Sequence, residues 1–239
     1  MDALPEGIAF VPCHSANYGG LRLASDIRYL VYHYTGNDGD TAANNAAYYA
    51  ETVVRSSAHY FVDDGGVTQS VPDRYVAWAV GGRKWRDCAE TGGGTLHGVV
   101  TNGNSLSVEL CDTRRDGSLQ ATEATLANGA ALGRLLMARY DIPIENVVRH
   151  FDVTGKHCPA YFMDNDRWAA FKARLTQEED TNLERYQTIE DIKKSAPWAA
   201  ETIGALVERG ALKGNGAGLD LSMDMLRLLV IHDRMGLYR

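Results

Sequence analysis

The sequence predicts a mixed α/β protein, a central β-sheet flanked by helices, followed by a small α-helical unit. Three observations carry that reading. Short runs of β-type residues alternate with helical stretches through residues 1–175. A charged segment, 176–185, with Gln177-Glu-Glu-Asp180 at its heart, reads as a linker. Beyond it, 186–239 shows helical spacing of its own: Trp198, Ile203, Leu206 and Val207, then Leu226, Leu229 and Val230.

Composition narrows the function classes. The 239 residues are 45% hydrophobic and 23% charged, which excludes disordered, collagen-like and coiled-coil chains. Lys plus Arg number 24 against 31 Asp plus Glu, a formal charge of −7, and no local basic run compensates. A nucleic-acid partner is therefore not expected. No apolar run approaches the roughly 18 residues of a membrane span. Met1 to Phe10 holds Asp2 and Glu6 and lacks a basic start with an apolar core. No secretory signal is expected there, so synthesis in the cytoplasm without export by that route is the expectation. Four cysteines, Cys13, Cys88, Cys111 and Cys158, are too sparse for a disulfide scaffold.

The elements follow in order. Ile27 to His33 is apolar on both faces, as a strand inside a sheet is. Thr41 to Arg55 is alanine-rich and capped by Asp40 or Thr41, a helix. His59 to Val62 and Val67 to Val71 are β-type runs around Asp63-Asp-Gly-Gly66, a hairpin. From Val80 to Asn104 the chain is glycine-rich and irregular, a long loop of the functional kind. Ser105 to Cys111 alternates strictly: Leu106, Val108 and Leu110 share one face, Ser107 and Glu109 the other. Thr122 to Tyr140 is a long helix, Val147-Val148 a brief extended piece, and Asp166 to Leu175 a closing helix.

The densest polar constellation is His150-Phe-Asp-Val-Thr-Gly-Lys-His-Cys158-Pro159. Its spacing is not that of two ligands on one helical face. A loop folding back at Gly155 could still bring an imidazole and a thiolate to one ion, and zinc accepts both. The bland alternative is a surface loop with a solvated histidine and a buried cysteine. A third ligand would come from elsewhere; His33, at the end of a central strand, is the best placed, though such a histidine also serves as an ordinary core or edge residue.

Together the segments Tyr32-His33-Tyr-Thr-Gly36, Ser57-Ala-His-Tyr-Phe-Val-Asp63, Val76-Ala-Trp78, Asn104-Ser-Leu-Ser-Val-Glu109 and Val148-Arg-His150 through Cys158-Pro159 resemble the zinc-dependent N-acetylmuramoyl-L-alanine amidases. These are the phage endolysins and bacillus-type autolysins related to the peptidoglycan recognition proteins. The resemblance runs in order over residues 25–172. It implies that family's mixed-sheet fold and hydrolysis of the amide between the lactyl group of N-acetylmuramic acid and L-alanine in bacterial peptidoglycan. It places the zinc ligands on His33, His150 and Cys158, the catalytic carboxylate on Glu109, and a lysine that stabilises the oxyanion on Lys156.

Two departures stand out. Where relatives often show Ala-Trp-His-Ala-Gly, this chain has Ala77-Trp-Ala-Val-Gly81. Where some place a catalytic tyrosine before the histidine matching His59, it has Ala58, so acid–base work is expected of Glu109. His59, Trp78, Thr35 and His97 are candidate substrate contacts, with Trp78 and Trp85 as cleft walls.

Residues 186–239 resemble a single S-layer-homology motif, with Leu221-Ser-Met-Asp-Met225 where that family's charged signature stands. A unit of about fifty residues buries little core. It is expected to bind wall polymer, dock on the first unit, self-associate into an oligomer or act as a spacer. The leading expectation for the whole is a phage or prophage endolysin, released to the wall by a separate holin. The alternatives are a non-catalytic peptidoglycan-binding recognition protein and a recycling amidase acting on anhydromuramoyl-peptide fragments.

Overall fold

The computed structural model describes residues 7–176 and 185–238. It divides after Thr176 into two compact units. The segment 176–185, expected as a linker, lies almost wholly outside the described residues.

The first unit runs β1 (Ile8–Phe10), β2 (Tyr18–Leu21), β3 (Tyr29–Tyr34), α1 (Ala42–Glu51), β4 (Tyr60–Asp63), β5 (Gly66–Gln69), β6 (Tyr75–Ala77), α2 (Cys88–Thr91), β7 (Ser105–Leu110), α3 (Glu123–Tyr140), β8 (Val147–Arg149), α4 (His150–Thr154) and α5 (Asn165–Thr176). Six strands form one mixed sheet in the order β1-β5-β4-β7-β3-β8, and β2 pairs with β6 in a small second sheet. Only β4 and β5 are antiparallel neighbours in the large sheet, as the Asp63-Asp-Gly-Gly66 turn requires. Strands β3, β7, β4 and β8 run parallel.

The two-residue period of the strands sorts the faces. Leu30 and Tyr32 of β3 and Leu106, Val108 and Leu110 of β7 enter the main core with Leu132 and Leu136 of α3 and Trp168 and Phe171 of α5. The opposite face carries Val31, His33, Ser107 and Glu109, and there the register sets His33 beside Glu109. Two helices thus seal one face of the sheet, and the polar residues of the other are left for chemistry.

Helix α1 begins where expected, with Thr41 Oγ1 accepting from Asn44 N at 3.1 Å. It ends at Glu51 rather than Arg55, and buried Asn17 explains why. Asn17 Nδ2 donates to Tyr49 O and Thr52 O, while its Oδ1 accepts from Val54 N and Arg55 N. These bonds replace the next helical turn and hold Arg55 at φ 54. Strands β1, β2 and β6 show no alternation in the sequence.

The second unit holds α6 (Ile189–Ser195), α7 (Ala200–Glu208) and α8 (Met223–Arg234) around Tyr186, Ile192, Ile203, Leu206, Leu221, Leu226 and Val230.

Candidate metal centre and cleft

Three elements deliver the site. His33 sits near the end of β3, His150 opens α4 directly after β8, and Cys158 lies on the returning segment. The return is enforced locally. Gly155 caps α4 at φ 84, and a Cβ there would collide with Cys88 Sγ. Phe151 N then donates to Cys158 O at 3.0 Å, closing the loop. Beneath α4, buried Arg149 pairs with Asp152 at 2.7 Å and lies over the Phe151 ring, so His150 starts from a fixed helix end.

The three donors come together: one donor atom each from His33, His150 and Cys158 lies within 4.8 Å of the others, and all three residues are buried. Cys158 Sγ is 3.8 Å from His33 Nδ1, and the two imidazole rings stand 4.6 Å apart between centroids. Glu109 Oε1 is 3.8 Å from His33 Nδ1. His33 Nε2, His150 Nδ1 and Glu109 Oε2 are buried with no hydrogen-bond partner. Buried polar atoms without partners are costly, so an unfilled set of this kind signals a group still to be bound.

Electrostatics agree. Burial, reinforced by His150, holds His33 well below its ordinary pKa. Burial and then Lys156 hold His150 down, to about 4. Both imidazoles therefore offer neutral lone pairs. Burial pushes the Cys158 thiol up to about 12, with Glu109 adding to the rise. Burial also raises Glu109, to about 8, against the opposing pull of Lys156. Burial at this site strongly disfavours negative charge on its side chains. Two imidazole nitrogens and a sulfur are the donors a borderline-soft divalent cation takes, and such a cation would favour the thiolate and the carboxylate over their neutral forms. The residues present fit a metal.

The centre opens into a cleft. One cavity, about 580 Å³, is lined by His33, Thr35, Glu109, His150 and Lys156, with Asp40, Asn44, Asn45, Tyr48 and Tyr49 contributed by α1 and the segment before it. A second, about 400 Å³, shares Ser56, Ala79, His150 and Lys156 and continues past Trp78, Trp85, Arg55 and Arg83. Thr35 and Trp78, expected to face substrate, thus line the cleft, and the Thr35 hydroxyl is buried without a partner. Trp85 is a wall as expected.

His59 is placed differently from the expectation of a substrate contact. It is 1% exposed and lines neither cavity. Its Nδ1 lies 3.0 Å from both Ser107 N and Ser107 Oγ, and its Nε2 lies 2.8 Å from Arg22 Nη2 and 3.1 Å from Tyr75 O. It ties β4, β6 and β7 together. His97 also lies outside the lining residues; it is exposed and bonds Gly82 O through Nε2 at 3.2 Å, bracing the loop that forms the second cavity. The α1 residues and the two arginines were not expected. The signal for the former was present: Asn44 and Tyr48, and Asn45 and Tyr49, repeat four residues apart on a helix that follows the site strand.

Comparison with known proteins places this geometry. Residues 23–161 match the family model described as N-acetylmuramoyl-L-alanine amidase, and residues 188–219 match that of the S-layer homology domain. The chain is 29% identical to the N-acetylmuramoyl-L-alanine amidase CwlL of Bacillus licheniformis, over 84% of this chain and 54% of that protein. It is 32% identical to the amidase BlyA of Bacillus subtilis, over 70% and 46%. The chain spans about half the length of the curated relatives it matches. Among solved structures, PlyL superposes with a TM-score of 0.56 at 28% identity, covering 70% of this chain and 96% of that one. The catalytic domain of XlyA gives 0.55 at 28%, covering 71% and 99%. The match of motif, fold and buried donor set over most of the first unit shows that this chain belongs to the N-acetylmuramoyl-L-alanine amidase family.

Proposed function

We propose that the chain is a zinc-dependent peptidoglycan hydrolase that cleaves the amide between the lactyl group of N-acetylmuramic acid and L-alanine. One observation carries the reading: His33, His150 and Cys158 converge on a cleft with an unpartnered oxygen of Glu109 beside them. The names of the curated relatives support it. Held by His33, His150 and Cys158, zinc would supply a Lewis acid that polarises the scissile carbonyl and makes water more acidic.

The remaining chemistry belongs to the chain. Glu109 takes a proton from the attacking water and later delivers it to the departing amine nitrogen of L-alanine. Burial, which raises its proton affinity, suits a group that must do both. Lys156 lines both cavities, and its ammonium offsets the negative charge that gathers on the carbonyl oxygen as the amide carbon becomes tetrahedral. Thr35 offers a hydroxyl to the substrate on the same wall. Residues 1–175 carry catalysis in this reading. Residues 186–239 bind wall polymer or join copies of the chain, and the protein works on the cell wall as an endolysin.

Digestion of purified sacculi tests the bond cleaved: mass analysis should find stem peptides with a free L-alanine amine. New reducing sugars instead would overturn the reading. Cys158→Ala should bring zinc below one per chain and abolish lysis. Glu109→Gln should keep zinc while turnover falls about 10²- to 10⁴-fold. Lysis at full rate after chelation would exclude the metal mechanism, and an unimpaired Glu109→Gln would move proton transfer to another group.

A further inference from the structure

The two parts of the cleft differ in charge. The larger cavity is lined by the carboxyl groups of Asp40 and Glu109 together with Lys156. The smaller one has no carboxylate in its wall and three cations: Arg55, Arg83 and, at the shared edge, Lys156. Among the described residues, the side chains of Arg55 and Arg83 have neither an ion-pair nor a hydrogen-bond partner, although acidic residues outnumber basic ones in this chain. Most of the other described arginines are bonded, as Arg22, Arg114, Arg149 and Arg174 are, while Arg28, Arg86 and Arg115 share the lack of a partner but do not line this cavity.

Both arginines are exposed, and the backbone that carries each is fixed by bonds around it. Buried Asn17 makes four hydrogen bonds to end α1, and Arg55 emerges from that turn at φ 54, a conformation that side chains with a Cβ adopt only against steric resistance. Arg83 follows Gly82, whose carbonyl is bonded by His97 Nε2, and the same loop is tied to α4 by Trp85 N donating to Thr154 O at 2.8 Å. The indoles of Trp78 and Trp85 close the walls. Two guanidinium groups thus line a cavity whose wall also includes Trp78, Trp85 and His150, and a guanidinium fork is the side-chain group best matched to a carboxylate.

We propose that this arm of the cleft binds the stem-peptide side of the substrate and recognises, through Arg55 and Arg83, the free α-carboxylate of the acidic residue that follows L-alanine. The inference rests on the hydrolase reading and adds a direction and a specificity to it. The glycan side of the scissile amide is uncharged, and the first carboxylate of the peptide lies about two residues, roughly 7 Å, beyond it. A carboxylate is attracted to the guanidinium groups of the smaller cavity, whose wall holds no acidic side chain to oppose it. Amidation of that carboxylate removes the charge and one acceptor for the guanidinium fork.

The test compares two soluble muropeptides that differ only in carboxylate or carboxamide at that residue. The zinc-loaded full chain should favour the acid by about tenfold in kcat/KM, mainly through KM. Arg55→Gln and Arg83→Gln should each reduce the acid-to-amide ratio at least about threefold. Lys84→Gln, which removes one positive charge from the same loop outside the cavity, should leave the ratio unchanged. A ratio near one in the native chain, or an equal fall in Lys84→Gln, would overturn the proposal. If neither muropeptide is cleaved, the hydrolase reading fails and binding decides the arm on its own. Calorimetry with L-alanyl-γ-D-glutamate and its carboxamide should then show tighter binding of the acid, lost in Arg55→Gln and Arg83→Gln. Equal binding of the two would overturn the proposal.

Discussion

His59 shows how neighbours can decide a side chain's chemistry. Ser107 N–H faces its Nδ1 and the Arg22 guanidinium faces its Nε2, so a donor stands against each ring nitrogen and a second ring proton is disfavoured. Burial, and then the Arg22 guanidinium 2.8 Å from Nε2, hold its pKa well below the ordinary histidine range. The folded chain therefore keeps His59 neutral, while the unfolded chain takes up a proton below about pH 6.5. Stability contributed by neutral His59 is present above that pH and is lost as acid is added, by about 1 kcal/mol between pH 6.5 and 5.5. Chemical denaturation of the full chain at the two pH values should show this fall. In His59→Asn, which can still accept from Ser107, the fall should be smaller by about that amount. An undiminished slope in the variant would mean that other groups carry it. The same residue marks where sequence reading stopped short: a histidine at the head of a strand near site residues looks like a substrate contact, and only the third dimension reveals that its ring faces Ser107 and Tyr75.

At the scale of elements, legibility followed periodicity. Strand β7 was readable because Leu106, Val108 and Leu110 alternate with Ser107 and Glu109, and α3 because its apolar positions recur over 18 residues. The three-residue strands β1 and β6 hold too few positions to show any period, and they exist because their neighbours offer free edges. The convergence of His33, His150 and Cys158 was legible through a resemblance. The cationic arm was not, because Arg55 and Arg83 meet only through loops. Close helix–sheet approach was equally silent in the sequence. Gly129 and Gly133 let α3 lie against Tyr32, whose hydroxyl donates to Gly129 O at 2.8 Å. A Cβ on Gly133 would collide with that hydroxyl and with Leu175. Gly133→Ala should therefore destabilise the first unit by about 1–2 kcal/mol, overpacking outweighing the better helix propensity of alanine. Gly204 of α7 has no atom within 4 Å of such a Cβ, so Gly204→Ala should stabilise the second unit by about 0.5–1 kcal/mol. Thermal unfolding of the two variants should shift in opposite directions; a shared sign would mean that propensity alone governs both.

At the scale of the whole chain, net charge and local charge part company. The formal charge of −7 acts over distances that physiological salt screens within about 8 Å, so two arginines in a cleft can still receive an anion. The division into two units has a more direct consequence. His33, His150 and Cys158 all belong to the first unit, and each unit has a hydrophobic core of its own. A ligand that binds only the folded form raises stability by about 4 kcal/mol when its free concentration is a thousand times its Kd. For a unit of this size that is roughly 10 °C in Tm. Calorimetry of the full chain should resolve two transitions, and a chelator should lower one by about that amount while leaving the other in place. Cys158→Ala should reproduce the chelated trace without any chelator, since the thiolate is the donor that requires the cation most. If chelation moved both transitions together, the two units would unfold as one cooperative block, and the second would have to be counted among the supports of the metal centre.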